Sequence, residues 1–404
     1  LDDKVRRILR LMMRTTLDFM RPLGKINNIE HSMVARQVAI EGVVLLKNKD
    51  NFFPLNTTQK LTIAVIGENA VKSMTTGGGS SELKANYEIS PLVGIQKRFK
   101  NASIIFSKGY TSEDTSQSRK SLIKEALVTA SMADVVLFFG GLNKNRGQDC
   151  EAADREELKL PYNQDYLIAE LQKVNPNIGV VLVSGNAVSM PWIYDVKTVF
   201  QAWYLGSEAG NAIADIISGD SNPSGKLPFS FPVKLSDNSA HFFGELSYPG
   251  DGETQYYKDD ILVGYRWHDT KNIRPLFSFG HGLSYSSFEI TDIKSDKKIY
   301  VASDSINITY KLKNTGGKDG AEVVQVYIGK SNSKVTRALK ELKGFKKTFL
   351  KSGKQTKEEI IINVSDLSFY NEAISGWDLE RGDYAIYVGN ASNAISKLMI
   401  IKIK

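Results

Sequence analysis

The stretch "ADVVLFFGGL", Ala133–Leu142, decides the fold class of this sequence. It is a short, uninterrupted apolar run that ends in two glycines, which is typical of a strand buried on both faces of a parallel sheet. Comparable runs are "LTIAVIGENA" from Leu61, "ASIIFSKG" from Ala102, "IGVVLVSGNA" from Ile178 and "TVFQAWYLG" from Thr198. Because segments of helical periodicity alternate with these runs, the sequence predicts an α/β sandwich domain with a mainly parallel sheet.

Composition limits the partners that the chain is expected to have. Its 404 residues predict two or three domains, and 42% hydrophobic content is enough for a real core. The net charge is +7, but the lysines and arginines are scattered, so we expect no nucleic-acid partner. No apolar stretch reaches the roughly 20 residues of a membrane span. The chain opens at Leu1 inside an amphipathic pattern, so we interpret the N-terminus as a cut.

The regions on either side of the α/β pattern have other periodicities. Helices are predicted for residues 1–20 and for "EHSMVARQVAIEGVVLLKN", Glu30–Asn48, where Val34, Val38, Leu45 and Leu46 would form the apolar side. Residues 221–285 are turn-rich and indicate a long connecting segment that packs on its neighbours. Strict alternation in "SINITYKLKNTGG", from Ser305, and in the segments after it predicts an all-β sandwich of immunoglobulin or fibronectin type.

An acidic loop, "QDCEAADREELKLP" (Gln148–Pro161), follows the central strand and holds five carboxylates. Ligands of parallel sheets bind beyond the carboxyl ends of the strands, so this loop stands where a ligand is expected. Burial by the apolar flanks and repulsion between neighbouring carboxylates would raise the pKa of one acid, as a general acid requires. The apolar flanks meant here are Phe138, Phe139, Leu158 and Leu160. The residues alone leave two interpretations open, a solvated acidic loop and a catalytic one.

The other candidate sites are weaker. The glycine-rich loop "TTGGGSSELKANYEISPL", from Thr75, lacks both phosphate-loop patterns, which disfavours a nucleotide-binding protein. Its glycines allow close backbone approach, so it is either a plain loop or one that borders a polar substrate. The bordering residues would be Gly78, Gly79 and Ser80. The histidines match no zinc spacing, and Ser184 lacks the nucleophile-elbow pattern, so we predict neither a metal nor a cofactor.

Several stretches together resemble glycoside hydrolase family 3, the β-glucosidase family. They run in order along most of the chain: "VARQVAIEGVVLLKN", "GGGSSELKANYEISPLVGI", "AWYLGSEAGNAIADIISGDSNPSGKLPFSFP", "ILVGYRW", "PLFSFGHGLSYSSF" and "ELKGFKK". The resemblance implies a (β/α)8 barrel, an α/β sandwich domain and a fibronectin type III-like domain. It divides this chain into a helical linker from a missing barrel (1–44), an α/β sandwich domain (45–232), a connecting segment (233–287) and a fibronectin type III-like domain (288–404).

The resemblance also implies site residues. The family's Glu-Gly-x-Asp-Arg motif, which carries its acid/base glutamate, matches Glu151 to Arg155, so Glu151 is the expected acid/base. Asp154 and Arg155 would order the loop, and Asp149 is a supporting residue and the fallback acid. Ala152 replaces the motif's glycine, and a positive φ there would cost about 1 kcal/mol. The family's nucleophile lies in a Ser-Asp-Trp motif on the barrel, and this sequence contains no Ser-Asp-Trp.

These features predict the C-terminal portion of a retaining β-glucosidase-type hydrolase that supplies the general acid/base. Its partners would be an oligosaccharide or β-glucoside substrate and the barrel domain with the nucleophile, so the chain alone should be inactive. The alternative is a non-catalytic carbohydrate-binding or scaffold protein that retains the accessory domains. Family habit suggests a periplasmic or secreted location, although no signal in the sequence indicates one.

Overall fold

The structure, a computed structural model, describes most of the chain. The described residues are 1–17, 20, 24–26, 28–72, 74–75, 79–81, 84–113, 119–153 and 155–404. They divide into two compact units, residues 1–34 and residues 35–404. Helix α1 spans Asp2–Thr15 in the first unit, and α2 spans Ile29–Gly42 across the division. Within the described ranges, no helix combines the length and the apolarity that crossing a bilayer requires.

A six-stranded sheet forms the centre of the α/β domain. Its strands are β1 (Val44–Asn48), β2 (Thr62–Ile66), β3 (Ser103–Ser107), β4 (Val135–Gly141), β5 (Ile178–Val183) and β6 (Thr198–Gln201). The spatial order is β1-β6-β5-β4-β2-β3, and every pair is parallel except β1 with β6. The order reverses between β2 and β4, so the loops that follow these two strands leave the sheet side by side. This is the position at which doubly wound sheets bind their ligands.

Alternate residues of the strands fill two separate cores. On β4, Val136 and Phe138 face one core, whereas Leu137 and Phe139 face the other. Helices cover both faces, namely α3 (Pro91–Arg98), α4 (Arg119–Ser131), α5 (Gln164–Val174) and α6 (Ala209–Ser218). Residues of α4 and α5 complete the first core, and residues of α3 and α6 complete the second. The predicted α/β sandwich with a mainly parallel sheet is therefore confirmed.

The predicted second helix is wrong beyond Gly42. The structure ends α2 there and places the following "VLLKN" in β1, where Leu45 and Leu46 are buried on opposite faces of the sheet. The β-branched pair Val43 and Val44 favours extended backbone, and the antiparallel partner β6 supplies the burial. Pairing with β6 therefore overrides the local helical spacing, although the paired residues Asn48 and Thr198 are 150 positions apart in the chain.

The segment between the two main domains contains α7 (Ser239–Phe242) and α8 (Tyr265–Lys271). Phe231, in the turn-rich stretch before α7, is fully buried and pairs with Phe277 through an isolated β-bridge. Trp267 of α8 is also buried and belongs to a small cluster with Leu262 and Ala338. Aromatic side chains of this segment therefore join the first core of the α/β domain, through Phe231, and contact the C-terminal region, through Trp267 and Ala338.

The C-terminal region is an all-β sandwich. Its strands are β7 (Phe288–Ser295), β8 (Ile299–Tyr300), β9 (Ser305–Asn314), β10 (Gly320–Lys330), β11 (Glu341–Leu350), β12 (Gln355–Asn363), β13 (Phe369–Asn371), β14 (Gly376–Asp378), β15 (Gly382–Ala391) and β16 (Ala394–Ile403). One sheet has the order β11-β10-β15-β16-β8, a second has the order β12-β9-β7, and β13 pairs with β14. Ile306, Ile308, Tyr310 and Leu312 all point into the core between the two larger sheets, as the alternation predicts.

Candidate active site

The acidic loop lies between β4 and α5, at the carboxyl edge of the central sheet. Cys150 and Ala153 form an isolated antiparallel bridge, so Glu151 and Ala152 are the two central residues of a tight turn. Ala152 has a φ of 59°, the left-handed conformation that favours glycine. Ala152, which replaces the glycine of the family motif, therefore does adopt the positive φ for which a cost was expected, directly after Glu151.

Asp149 anchors the loop to the segments that follow β5 and β6. Its carboxylate accepts hydrogen bonds from the Gly185 N–H at 2.7 Å, the Asn186 side-chain amide at 3.0 Å and the Tyr204 hydroxyl at 2.7 Å. Burial, followed by the charge of Asp149, raises the pKa of Tyr204, so its phenol remains a donor at any physiological pH. These contacts fit the supporting role expected of Asp149, because all the hydrogen bonds that its carboxylate accepts hold the loop in place.

Further contacts fix the loop at both ends. The Arg155 guanidinium donates to the Ala187 carbonyl at 2.7 Å, just beyond β5. The Gln148 side chain accepts from the Asn143 N–H at 2.9 Å and donates to the Tyr162 hydroxyl at 2.5 Å. The expected ordering role of Arg155 therefore has a geometric basis. Asp154, the other residue expected to order the loop, lies outside the described residues.

Glu151 projects from this fixed turn, and its side chain is exposed. Its Oε2 accepts hydrogen bonds from the Ser80 N–H, at 2.6 Å, and from the Ser80 hydroxyl. These two donors stabilise the charged form and hold the pKa of Glu151 below its usual value. The raised pKa expected of one acid in this loop is therefore not found at Glu151 in this chain. Phe138 and Phe139 point into the two cores of the sheet and do not shield the carboxylate.

The glycine-rich loop meets the acidic loop at this point. A Cβ on Gly79, whose φ is +81°, would lie 2.6 Å from the Glu151 Cβ and 2.7 Å from its Oε2. Only glycine permits this approach. The predicted close approach of the glycine-rich loop is therefore an approach to Glu151. Ser80 likewise contacts Glu151, whereas Gly78, the third residue expected to border the substrate, lies outside the described residues.

A polar cavity of about 310 Å³ opens beside the turn. Its lining consists of Lys144, Gln148, Asp149, Cys150, Arg155, Gly185, Asn186 and Tyr204. The Lys144 ammonium lies 3.6 Å above the centre of the Tyr204 ring, so a cation and an aromatic face share one wall. Hydrogen-bond donors and an aromatic surface of this kind suit a ligand rich in hydroxyl groups.

Sequence reasoning missed the role of Tyr204 and of Gly185 and Asn186. The rule that ligands bind beyond the carboxyl ends of the strands already indicates the loop after Gly185, but it does not single out these three residues, and the signal that identifies them is position. Each lies shortly after the carboxyl end of a parallel strand, where loops converge on a ligand. Within the loops expected to meet a ligand, the polar side chains of Asn186 and Tyr204 are the signal that could have selected them.

Two histidines have structural partners in the fold. In the buried His268, Nδ1 lies 3.0 Å from the Ile273 carbonyl, and in His281, Nε2 lies 3.0 Å from the Leu46 carbonyl. The described residues contain no group of three or more His, Cys, Asp or Glu that could hold a metal ion. The chemistry that the described site itself presents is that of an exposed carboxylate on a rigid turn.

Comparisons with known proteins place these features in a wider group. The family model described as "Glycosyl hydrolase family 3 C-terminal domain" matches residues 43–285, and the "Fibronectin type III-like domain" model matches residues 322–392. The chain is 43% identical to the β-glucosidase BoGH3A of Bacteroides ovatus, across 98% of the chain and 54% of the relative. It is 36% identical to an exo-α-(1→6)-L-arabinopyranosidase of Bifidobacterium longum, across 92% of the chain and 48% of the relative.

Solved structures share the architecture. The crystal structure of a Bifidobacterium adolescentis GH3 β-glucosidase superposes with a TM-score of 0.89 and 33% sequence identity. That match covers 98% of this chain and 56% of the other. The chain therefore spans about half the length of the relatives that it matches.

Proposed function

Because this chain belongs to glycoside hydrolase family 3, we propose that it supplies the general acid/base of a retaining β-glucosidase-type hydrolase. Glu151 would protonate the leaving glycosidic oxygen in the first step and remove a proton from the attacking water in the second. One observation carries the proposal: Glu151 presents an exposed carboxylate from an anchored turn at the carboxyl edge of a parallel sheet. The anchor supplies the positional precision that proton transfer requires.

The nucleophile would come from the barrel domain that the family resemblance implies. In a retaining enzyme its carboxylate lies about 5–5.5 Å from the acid/base carboxyl. A negative charge at that distance, together with a bound sugar that excludes water, raises the pKa of Glu151. These two effects oppose the hydrogen bonds from Ser80, so Glu151 would gain its proton only when the site is assembled.

The proposed substrate is an oligosaccharide or aryl glycoside with a terminal β-glucosyl unit. The polar cavity beside Glu151 offers room for the leaving group, with donors from Lys144 and Arg155 and the ring face of Tyr204. By their names, the relatives mentioned above include β-glucosidases and an arabinopyranosidase, and we attribute the choice of sugar to the implied barrel domain. Glucose is the first sugar to test because the most similar of the relatives named here is a β-glucosidase.

The test uses this chain joined to the implied barrel domain and compares leaving groups. Glu151→Gln should lower kcat/KM by roughly 10²–10⁴-fold on alkyl β-glucosides, whose leaving groups need protonation. Glycosylation by an activated dinitrophenyl β-glucoside, seen as a burst, should remain fast because its leaving group departs without a proton. Glu156→Gln, at an exposed acid of the same loop, serves as the control with unchanged rates.

Two results would contradict the proposal. An equal loss on both kinds of leaving group would argue against acid catalysis by Glu151. Tight binding of oligosaccharides without hydrolysis, by the complete protein, would instead support the non-catalytic carbohydrate-binding alternative.

A further inference from the structure

Ser80 makes a contact that the proposed catalytic cycle does not use. Its N–H and its hydroxyl both donate to the same oxygen of Glu151, Oε2. Among the described residues, no hydrogen-bond donor reaches the other oxygen, Oε1. Gly79 has a positive φ and no Cβ that would collide with Glu151. The Ser80 N–H can therefore come within hydrogen-bond distance of the carboxylate.

The loop that carries Ser80 is itself held at its base. The Glu88 carboxylate accepts from the Met74 N–H at 2.6 Å and from the Thr75 hydroxyl at 2.7 Å, which ties the two ends of the loop together. The Ile89 N–H donates to the Ser207 carbonyl at 2.8 Å, just before α6. Ser80 therefore extends from a base that is fixed to the α/β domain.

This arrangement makes the two carboxylate oxygens chemically different. Two hydrogen bonds withdraw electron density from Oε2 and stabilise negative charge on it, so a proton binds more readily at Oε1. The backbone N–H of Ser80 can only donate, so a proton on Oε2 would face a donor that cannot turn away.

The geometry points to Ser80 as a positioning residue that occupies Oε2 of Glu151 and thereby leaves Oε1 to exchange the proton with the substrate. This inference rests on the proposed function of Glu151 as acid/base. Ser80 was expected to border the substrate. The inference assigns it a different role, which is to hold the side chain of Glu151.

The central experiment is Ser80→Ala in the protein that carries the barrel domain. Alanine keeps the N–H but loses the hydroxyl, so the carboxylate is less stabilised and the pKa of Glu151 rises. The basic limb of the kcat/KM profile should therefore move to higher pH. On alkyl β-glucosides, kcat/KM should fall roughly ten- to a hundredfold, because the carboxyl is less precisely held. Ser80→Thr, which retains the hydroxyl, should restore both the profile and the rate.

A readout independent of hydrolysis is the titration of the Glu151 carboxyl by carbon-13 NMR of glutamate-labelled protein. Glu151→Gln identifies the resonance, and Ser80→Ala should move its midpoint to higher pH. Gly79→Ala is a second variant with the same expected direction, because the added Cβ displaces Glu151 from the loop.

The outcomes separate the two claims. If Ser80→Ala leaves both the titration and the pH profile in place, the positioning role is overturned, even if Glu151→Gln abolishes hydrolysis. If Glu151→Gln hydrolyses alkyl glucosides normally, the acid/base proposal itself fails. A Ser80→Ala protein that loses thermal stability while its pH profile stays unchanged has lost only a structural contact, and this result also overturns the inference.

Discussion

Carboxylates in the acidic loop and carboxylates at the boundary between the α/β domain and the fibronectin-like sandwich have different partners. Glu151 is exposed and receives its hydrogen bonds from the neutral donors of Ser80. At the boundary, the buried Glu322 lies 2.6 Å from the Lys226 ammonium, and Asp269 lies 2.7 Å from that of Lys340. A carboxylate that is removed from water beside a lysine cation is costly to separate from that partner, whereas the Glu151 carboxylate has only neutral donors and is open to solvent. The two regions therefore differ in the identity of the partner, a lysine cation at the boundary and the neutral donors of Ser80 at Glu151.

The strongest way to break this comparison is to remove the cation at the boundary. Lys226→Met leaves the Glu322 carboxylate buried without its partner and should destabilise the protein by about 3–5 kcal/mol. Chemical unfolding measures the loss, and the rate of the proposed hydrolysis per folded molecule, measured in the protein joined to the barrel domain, should stay the same. Lys346→Met is the matched control, because its pair with Glu358 is half exposed on the lysine side and should contribute under about 1 kcal/mol. Similar losses for the two variants would show that the boundary pair has no special structural role.

The next test concerns the anchor within the acidic loop itself. Asp149→Ala removes the acceptor of three hydrogen bonds, and we expect a loss of about 2–3 kcal/mol in the free energy of unfolding. In the protein joined to the barrel domain, the proposed hydrolysis should slow as well, because Glu151 is two residues away on the loosened turn. Glu156→Ala, an exposed acid of the same loop, should change stability by under about 0.5 kcal/mol. An active and stable Asp149→Ala protein would mean that Arg155 and Gln148 hold the loop without it.

The sheet could be predicted from the sequence because each buried strand is a local signal. The apolar run of β4 and its terminal glycines suffice to predict that strand, and Gly141 adopts a φ of +121° where a Cβ would meet the Val183 carbonyl. The start of β1 could not be predicted in the same way. Val44–Asn48 continues the spacing of a helix, and only pairing with β6, far along the chain, selects the extended form.

The candidate site could be predicted only in part, for a related reason. Its location follows from the strand before it, and the choice of Glu151 among five acids came from resemblance to a family. The contact of Ser80 with Glu151 spans 71 positions, and that of Asp149 with Tyr204 spans 55. Such contacts depend on which strands are neighbours in the sheet, and the local hydrophobic periodicity of a sequence does not indicate the order of the strands. Once β2 is known to lie beside β4, the meeting of their following loops becomes predictable.

A third test applies the comparison inside the α/β domain. Glu68, just after β2, is buried, and its carboxylate accepts from the Ser112 N–H at 2.8 Å and contacts the Lys108 ammonium at 3.1 Å. Burial alone would raise the pKa of Glu68, but the hydrogen bonds from Ser112, Lys108 and Thr111 outweigh it and lower the pKa below 4.5. Because the folded pKa is depressed, the carboxylate stabilises the fold above its ordinary pKa and loses that effect as pH falls through the folded value.

Glu68→Gln should therefore lower stability by about 1.5 kcal/mol at neutral pH. The gap to the wild type should narrow as the pH falls below 4.5. Unfolding measured from pH 7 downward checks both statements. Glu113→Gln, an exposed neighbour whose carboxylate lies 3.7 Å from the Lys108 ammonium, is the control and should leave the pH dependence intact. A constant gap at every pH would assign the effect of Glu68 to packing and not to charge.

The smallest effect is expected at Ala152, where the acidic loop departs from the family motif. A left-handed φ costs a residue with a Cβ roughly 1–2 kcal/mol, and glycine avoids this cost. Glycine also makes the unfolded chain more flexible, which costs about 0.4–1 kcal/mol. The difference predicts that Ala152→Gly stabilises the protein by about 0.5 kcal/mol, measurable as a shift in the denaturant midpoint. Ala153→Gly, at a neighbour without a positive φ, should instead destabilise it by a similar amount, because only the cost in the unfolded chain applies. If both variants lose stability, the turn that presents Glu151 does not depend on the backbone conformation at Ala152.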